Sequence, residues 1–222
     1  MPPIVSFVGL SSVGKTTLLE RLIPELKKRS YRVAIIKHDV HGFDMDKPGK
    51  DSWRFTQAGS DIIMISSPDK LALIKKVDHD STLQELARLV GDSADIILTE
   101  GFKQREAAKI EVHRKAIGEK LLCKPEELVA LVTDEPLDLP VWQCSTEEIS
   151  RLADRIESTF LTNRREEEAT HTVNGVSVPM APFVQEFVIN TLVGMVSTLK
   201  GVDKISSLDI SLKRNSSGDK AA

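Results

Sequence analysis

Residues Ile4-Val5-Ser6-Phe7-Val8-Gly9-Leu10-Ser11-Ser12-Val13-Gly14-Lys15-Thr16-Thr17-Leu18-Leu19 decide the fold. A short apolar, β-branched run leads into Gly9-x-x-x-x-Gly14-Lys15-Thr16, and an amphipathic stretch follows. This is the phosphate-binding pattern G-x-x-x-x-G-K-[ST] in its required strand–loop–helix context. Glycines let backbone N–H groups close around phosphate oxygens, and the helix behind them presents the positive end of its dipole. Lys15 reaches the β- and γ-phosphates, the Thr16 hydroxyl suits Mg²⁺, and Thr17 is a further phosphate donor.

Outward from that loop, Leu18, Leu19, Leu22, Ile23 and Leu26 recur at helical spacing, predicting a helix over Lys15 to Arg29. Strands are predicted at Ile4 to Val8, Arg32 to Lys37, Asp95 to Thr99, Lys109 to Arg114 and Leu128 to Thr133, with a short one at Pro140 to Gln143. Helices are predicted at Asp51 to Ala58, Thr82 to Val90 and Thr146 to Leu161, and Ser67-Pro68-Asp69 turns a hairpin between Asp61–Ser66 and Lys70–Lys75. Strands alternating with helices predict an α/β domain of P-loop NTPase type, a largely parallel sheet flanked by helices.

That domain is expected over residues 1–162, followed by a charged linker over 163–169. Beyond it the pattern changes. Asn174-Gly175 between two β-type runs signals a hairpin, Pro182 to Leu199 carries a broad apolar stripe, and Leu208, Ile210 and Leu212 alternate with polar residues. A helix so apolar needs a sheet to cover it, which predicts a small ββαβ appendage over 170–212. A disordered tail is expected over 213–222.

The 222 residues are 41% hydrophobic and 28% charged with net charge −3, which argues against bulk electrostatic capture of nucleic acid or anionic membrane. The longest apolar run is five residues, Leu128 to Val132, too short to span a bilayer. Two cysteines, Cys123 and Cys144, offer neither a CxxC pair nor a zinc set. The chain reads as cytoplasmic.

A P-loop needs an acid at the end of a neighbouring strand. Asp95-Ile-Ile-Leu-Thr-Glu100 offers two, and five residues at about 3.3 Å each separate them by roughly 16 Å. The loop lies at the carboxyl edge of the sheet, so Glu100 is the metal candidate and Asp95 a strand-start residue. The polar stretch His38 to Lys50 leaves from the same edge, and Lys37, Lys47, Lys50 and Arg54 suit a phosphate-bearing second ligand. His38 and His41 with nearby aspartates lack a tight zinc set. Asp46-Lys-Pro-Gly49 imitates the GTPase DxxG element without its strand, and no N-K-x-D occurs. Thr133-Asp134 reads as a purine-edge carboxylate or, more simply, a turn cap.

The combination GLSSVGKTTL, VAIIKHDVHGFDMDKPGKDSWRFTQAG, DIILTEGFK and KIEVHR resembles the MobB family of molybdopterin-guanine dinucleotide biosynthesis adaptor proteins over about residues 3 to 162. The resemblance implies a GTP-binding, Mg²⁺-dependent, weakly hydrolysing homodimer that assists the guanylyltransferase attaching GMP to molybdopterin. It implies that Gly9, Ser11, Ser12, Val13, Gly14, Lys15, Thr16 and Thr17 hold phosphates, and that Thr16 and Glu100 serve Mg²⁺. It places His38, Asp39, Lys47, Gly49, Lys50, Asp51 and Ser52 towards the nucleotide or molybdopterin, and makes Lys103 a further phosphate contact. The C-terminal segment is an addition to the minimal family member.

Two other classes remain open on the residues alone. An ATP-dependent small-molecule kinase would use the His38–Lys50 loop as a lid and Asp39 or Asp46 as base. A nucleotide-switched interaction module would use the appendage to hold a partner.

Overall fold

The structure, a computed structural model, describes residues 1–39, 42–43, 46–102, 107–162, 172–173, 176–202, 205 and 208–211. The chain divides into two units, Met1–Arg164 and Arg165–Ala222. The first runs β1 (Ile4–Val8), α1 (Lys15–Lys28), β2 (Val33–Lys37), α2 (Asp51–Gln57), β3 (Ile62–Ser66), β4 (Leu71–Lys75), α3 (Leu83–Val90), β5 (Ile96–Glu100), β6 (Ala108–His113), β7 (Leu128–Thr133), β8 (Gln143–Cys144) and α4 (Ile149–Ile156). Wider π-helical turns continue α4 over Glu157–Leu161.

Six strands form one sheet in the order β2-β5-β1-β6-β7-β8, and every ladder is parallel. Alternation along each strand decides its two faces. Val5, Phe7, Ile96, Leu98, Ile110, Val112, Ala130 and Val132 join one buried cluster with Leu18, Leu22 and Leu26 of α1 and Leu152 and Ile156 of α4. Each such leucine contributes about 1.5–3 kcal/mol relative to exposure. On the alternate positions Ser6, Thr99, Glu111, His113 and Thr133 are buried and polar. Burial there demands partners. The Thr99 hydroxyl donates to Ser6 Oγ at 2.9 Å, and the Glu111 carboxylate accepts the Leu122 and Cys123 amides at 2.7 and 3.0 Å.

Charge closes α1 onto α4. The Arg29 guanidinium meets Glu25, Asp154 and Glu157 at 3.1, 2.6 and 2.7 Å, and the Tyr31 hydroxyl donates to Glu157 at 2.7 Å. The hydrogen bonds from Tyr31 and Arg29 hold the Glu157 carboxyl below its ordinary range. Burial pushes the Cys144 thiol up to about 11, and both cysteines are free.

Among the described residues β3 and β4 pair only with each other, antiparallel, as a separate hairpin with Met64 opposite Leu73. Its turn closes through the Ser67 amide to the Lys70 carbonyl at 2.8 Å and Ser67 Oγ to Asp69 at 2.7 Å. α3 starts at a reciprocal cap: the Glu85 amide donates to Thr82 Oγ1 at 3.2 Å, and the Thr82 amide donates to Glu85 Oε2 at 2.7 Å.

In the second unit β9 (Thr172–Val173) and β10 (Val176–Ser177) form an antiparallel pair before α5 (Pro182–Ser197). The expected last strand is not formed at Leu208 to Ser211. Alternation supplies a face but no partner, and a strand needs a neighbour's N–H and C=O groups. The expected covering sheet is likewise not found among the described residues. No residue of α5 is buried, and Phe183, Phe187 and Met195 are 77%, 63% and 64% exposed. The linker 163–169, the Asn174-Gly175 turn and the tail 213–222 lie outside the described residues. Among the described residues no helix is long and apolar enough to cross a membrane.

Candidate functional site

The loop Gly9 to Gly14 leaves the carboxyl end of β1 and turns directly into α1. Val13 anchors it, buried in the cluster beneath the sheet, while Ser11 and Ser12 are exposed. Gly14 stands in the left-handed region at φ 97° as the residue before the helix, and its carbonyl accepts the Leu18 amide at 2.9 Å. The Lys15 ammonium donates to the Gly9 and Leu10 carbonyls at 3.1 and 2.8 Å, so it lies along the loop rather than out in solvent. Thr17 is exposed on the first turn.

Sheet order brings the acid to this loop. β5 lies beside β1 with Glu100 opposite Phe7, and β2 lies on its other side with Lys37 opposite Glu100. The Thr16 hydroxyl lies 3.0 and 3.1 Å from the two Glu100 carboxylate oxygens. A hydroxyl and a carboxylate in contact are the hard oxygen donors that Mg²⁺ prefers, so these residues fit that ion. Asp95 sits at the far end of β5, gripped by Arg32 at 2.9 Å, as a strand-start residue.

His38 continues the same edge. Its amide donates to the Glu100 carbonyl at 2.9 Å, its ring lies 4.8 Å from that of Phe102, and Nε2 is 3.1 Å from Asp80 Oδ1. Gly101 makes this approach feasible: at φ 106°, a methyl group on it would stand 2.7 Å from the His38 carbonyl oxygen.

The other predicted residues gather elsewhere. Lys47, Lys50, Asp51 and Ser52 line an open cavity of about 680 Å³ with Asp46, Phe55 and the edge of β3. Ser52 Oγ donates to Asp46 Oδ1 at 2.7 Å, while Asp46 Oδ2 is buried without a hydrogen-bond partner among the described residues. Gly49 turns at φ 86° beside them. No described contact joins this group to the phosphate loop, so the predicted site resolves into two. Asp39 follows His38 and is exposed, whereas His41 and Lys103 lie outside the described residues. Among the described residues no cluster of His, Cys, Asp and Glu could hold a metal on its own.

Asp80, Phe102 and Arg114 escaped the sequence reading. The Arg114 guanidinium lies against Gly14, and its position at the carboxyl end of a strand was the available signal. Asp80 carried none, because only the fold brings it to His38. Asp134 accepts the Lys115 amide at 3.3 Å, as a turn cap does.

Residues 4–134 match the model of the family MobB, molybdopterin guanine dinucleotide synthesis protein B. The chain belongs to the MobB family. It is similar to the molybdopterin-guanine dinucleotide biosynthesis adapter protein of Haemophilus influenzae, 38% identical over 157 residues that span 70% of this chain and 88% of that MobB relative. A crystal structure of molybdopterin-guanine biosynthesis protein B, 32% identical, covers 70% of this chain and 98% of its own with a TM-score of 0.55. The six-stranded parallel sheet flanked by helices is thus the MobB fold. A putative adapter protein of Methanocaldococcus jannaschii, 24% identical, aligns over 94% of this chain and 97% of its own, a span that reaches into the second unit.

Proposed function

We propose that this MobB-family chain is a GTP-binding adapter in molybdopterin-guanine dinucleotide biosynthesis, hydrolysing GTP slowly and working beside the molybdopterin guanylyltransferase. The contact between Thr16 and Glu100 carries the reading, because it puts a metal-suited oxygen pair against a phosphate loop whose lysine is already aligned with it. Thr16 and Glu100 would hold Mg²⁺, which neutralises charge on the triphosphate when bound. Lys15 exchanges two backbone carbonyls for phosphate oxygens. His38, steadied by Phe102 and Asp80, stands next to Glu100 with a ring nitrogen able to orient a polar group.

The second cavity suits the second ligand of the reading. Lys47 and Lys50 offer charge to a phosphate, Phe55 a face to a planar ring, and the Asp46 oxygen, without a partner among the described residues, an acceptor for ring N–H groups. Molybdopterin has all three chemical features. The reading also includes a homodimer. On the hairpin, Ile62, Met64, Leu71 and Leu73 are exposed on one face, an apolar surface suited to a second copy.

Equilibrium competition of GTP and ATP for the Mg²⁺-loaded protein tests the reading. GTP preference, lost in a folded Lys15→Ala variant, is the expected result. ATP preference, or undiminished GTP affinity in that variant, overturns it.

A further inference from the structure

We propose that Arg114 is a second cationic arm of the phosphate site, binding phosphate oxygens of the nucleotide on the flank of the loop opposite Glu100; this rests on the nucleotide-binding reading above. β1 has β5 on one side and β6 on the other. Glu100 ends the first neighbour. Arg114 follows the last residue of the second. Because Val8 lies opposite Glu111, the chain from Val112 to Arg114 runs past the end of β1 and alongside the phosphate loop.

The guanidinium lies over Gly14. A methyl group on Gly14 would stand 3.4, 3.8 and 3.9 Å from Nη2, Cζ and Nε of Arg114, near-equal distances that put the group face-on to the α-carbon. Gly14 therefore serves twice: it takes the left-handed turn into α1, and its missing side chain admits a planar cation to the loop. The arm is also anchored. The Arg114 carbonyl accepts the Ile117 and Gly118 amides at 2.9 and 3.2 Å, and Gly118 packs against Leu10 on the loop itself.

Its charge is unspent. Among the described residues the guanidinium makes no hydrogen bond or ion pair. The acid whose charge it influences, Glu147, already gives both carboxylate oxygens to Arg21 at 2.9 and 2.8 Å. An arginine is permanently charged and presents a planar fork that fits two phosphate oxygens, which a lysine cannot imitate. A cation lying against a phosphate loop, with no acid of its own among the described residues, is placed for an anion that arrives there.

The test is the affinity of the full chain for fluorescent GTP and GMP at saturating Mg²⁺, for wild type, Arg114→Ala, Arg114→Lys and Lys15→Ala, with circular dichroism of each. Arg114→Ala is expected to weaken GTP by tenfold or more and GMP by less, with Arg114→Lys between. A structural role alone would weaken both nucleotides equally. Equal loss for both, or unchanged GTP affinity in Arg114→Ala while Lys15→Ala abolishes binding, overturns the proposal and leaves the nucleotide reading standing. Wild type that binds neither nucleotide overturns both.

Discussion

Thr16 Oγ1 lies 3.0 Å from Glu100 Oε1 and 3.1 Å from Oε2, a contact between residues 84 apart in the chain. It exists because β5 is inserted next to β1, so that the end of one strand faces the helix that follows the other. Glu100→Gln keeps the shape and removes the charge. It is expected to lower apparent Mg²⁺ affinity in the nucleotide complex by about tenfold or more, equivalent to about 1.4 kcal/mol. Titration of Mg²⁺ against bound fluorescent nucleotide measures it, and an unchanged midpoint would remove Glu100 from the metal site.

Gly101→Ala tests how closely the two strand ends must approach. The added methyl group would press on the His38 carbonyl at 2.7 Å from a backbone already at φ 106°. The strain, roughly 1–3 kcal/mol, should appear as a lower melting temperature together with weaker Mg²⁺-nucleotide binding. A variant that melts and binds like wild type would mean that β2 and β5 yield there at no cost.

The connection from β4 to α3 carries a pH-dependent clasp. Hydrogen bonds to the Asp78 and Glu85 carboxylates raise the His79 pKa, while the Thr82 cap, with His79, holds Glu85 at about 2. A raised histidine stabilises the fold fully below its unfolded value of about 6.5 and loses that contribution as pH rises through the folded value. A lowered carboxylate contributes above about 4.3 and loses its part as pH falls towards 2. The melting-temperature difference between wild type and His79→Gln should therefore be largest near about pH 5.5 and vanish at alkaline pH. A difference that stays constant across that range would remove His79 from the clasp.

Met64 and Leu73 face each other across the hairpin, and both are exposed. If the hairpin face joins two copies as proposed, replacing both with lysine should convert the dimer to a monomer in sedimentation velocity, while the phosphate loop in the same chain keeps its fold. Unchanged sedimentation of a dimer would place the contact elsewhere.

Features that depend on neighbours in the chain were legible from residue types alone. Gly14-Lys15-Thr16, the capping Thr82 with Glu85, the Ser67–Lys70 turn and the alternation of β1 act over a few residues, so each element forms close to its expected bounds. Glu100 was legible because a motif of known chemistry needs an acid at a strand end, and Asp95 was excluded by strand length alone. The expected C-terminal strand is not formed at Leu208 to Ser211 for the converse reason: alternating Leu208 and Ile210 carry no information about a pairing partner.

Which strand lies beside which was settled by long-range packing, and that order brought the ends of β1, β5 and β6 to one site. Thr16 meets Glu100 and Arg114 covers Gly14 because parallel strands distant in sequence end at one edge, while the connection from β4 to α3 brings Asp80 to His38. Lys47, Lys50, Asp51 and Ser52, predicted as part of the same site, line a second cavity against β3 instead. Local propensity is set by short-range sterics and hydrogen bonds, which read directly from residue types. Strand order is set by how whole hydrophobic faces pack, a property that no short stretch of sequence contains.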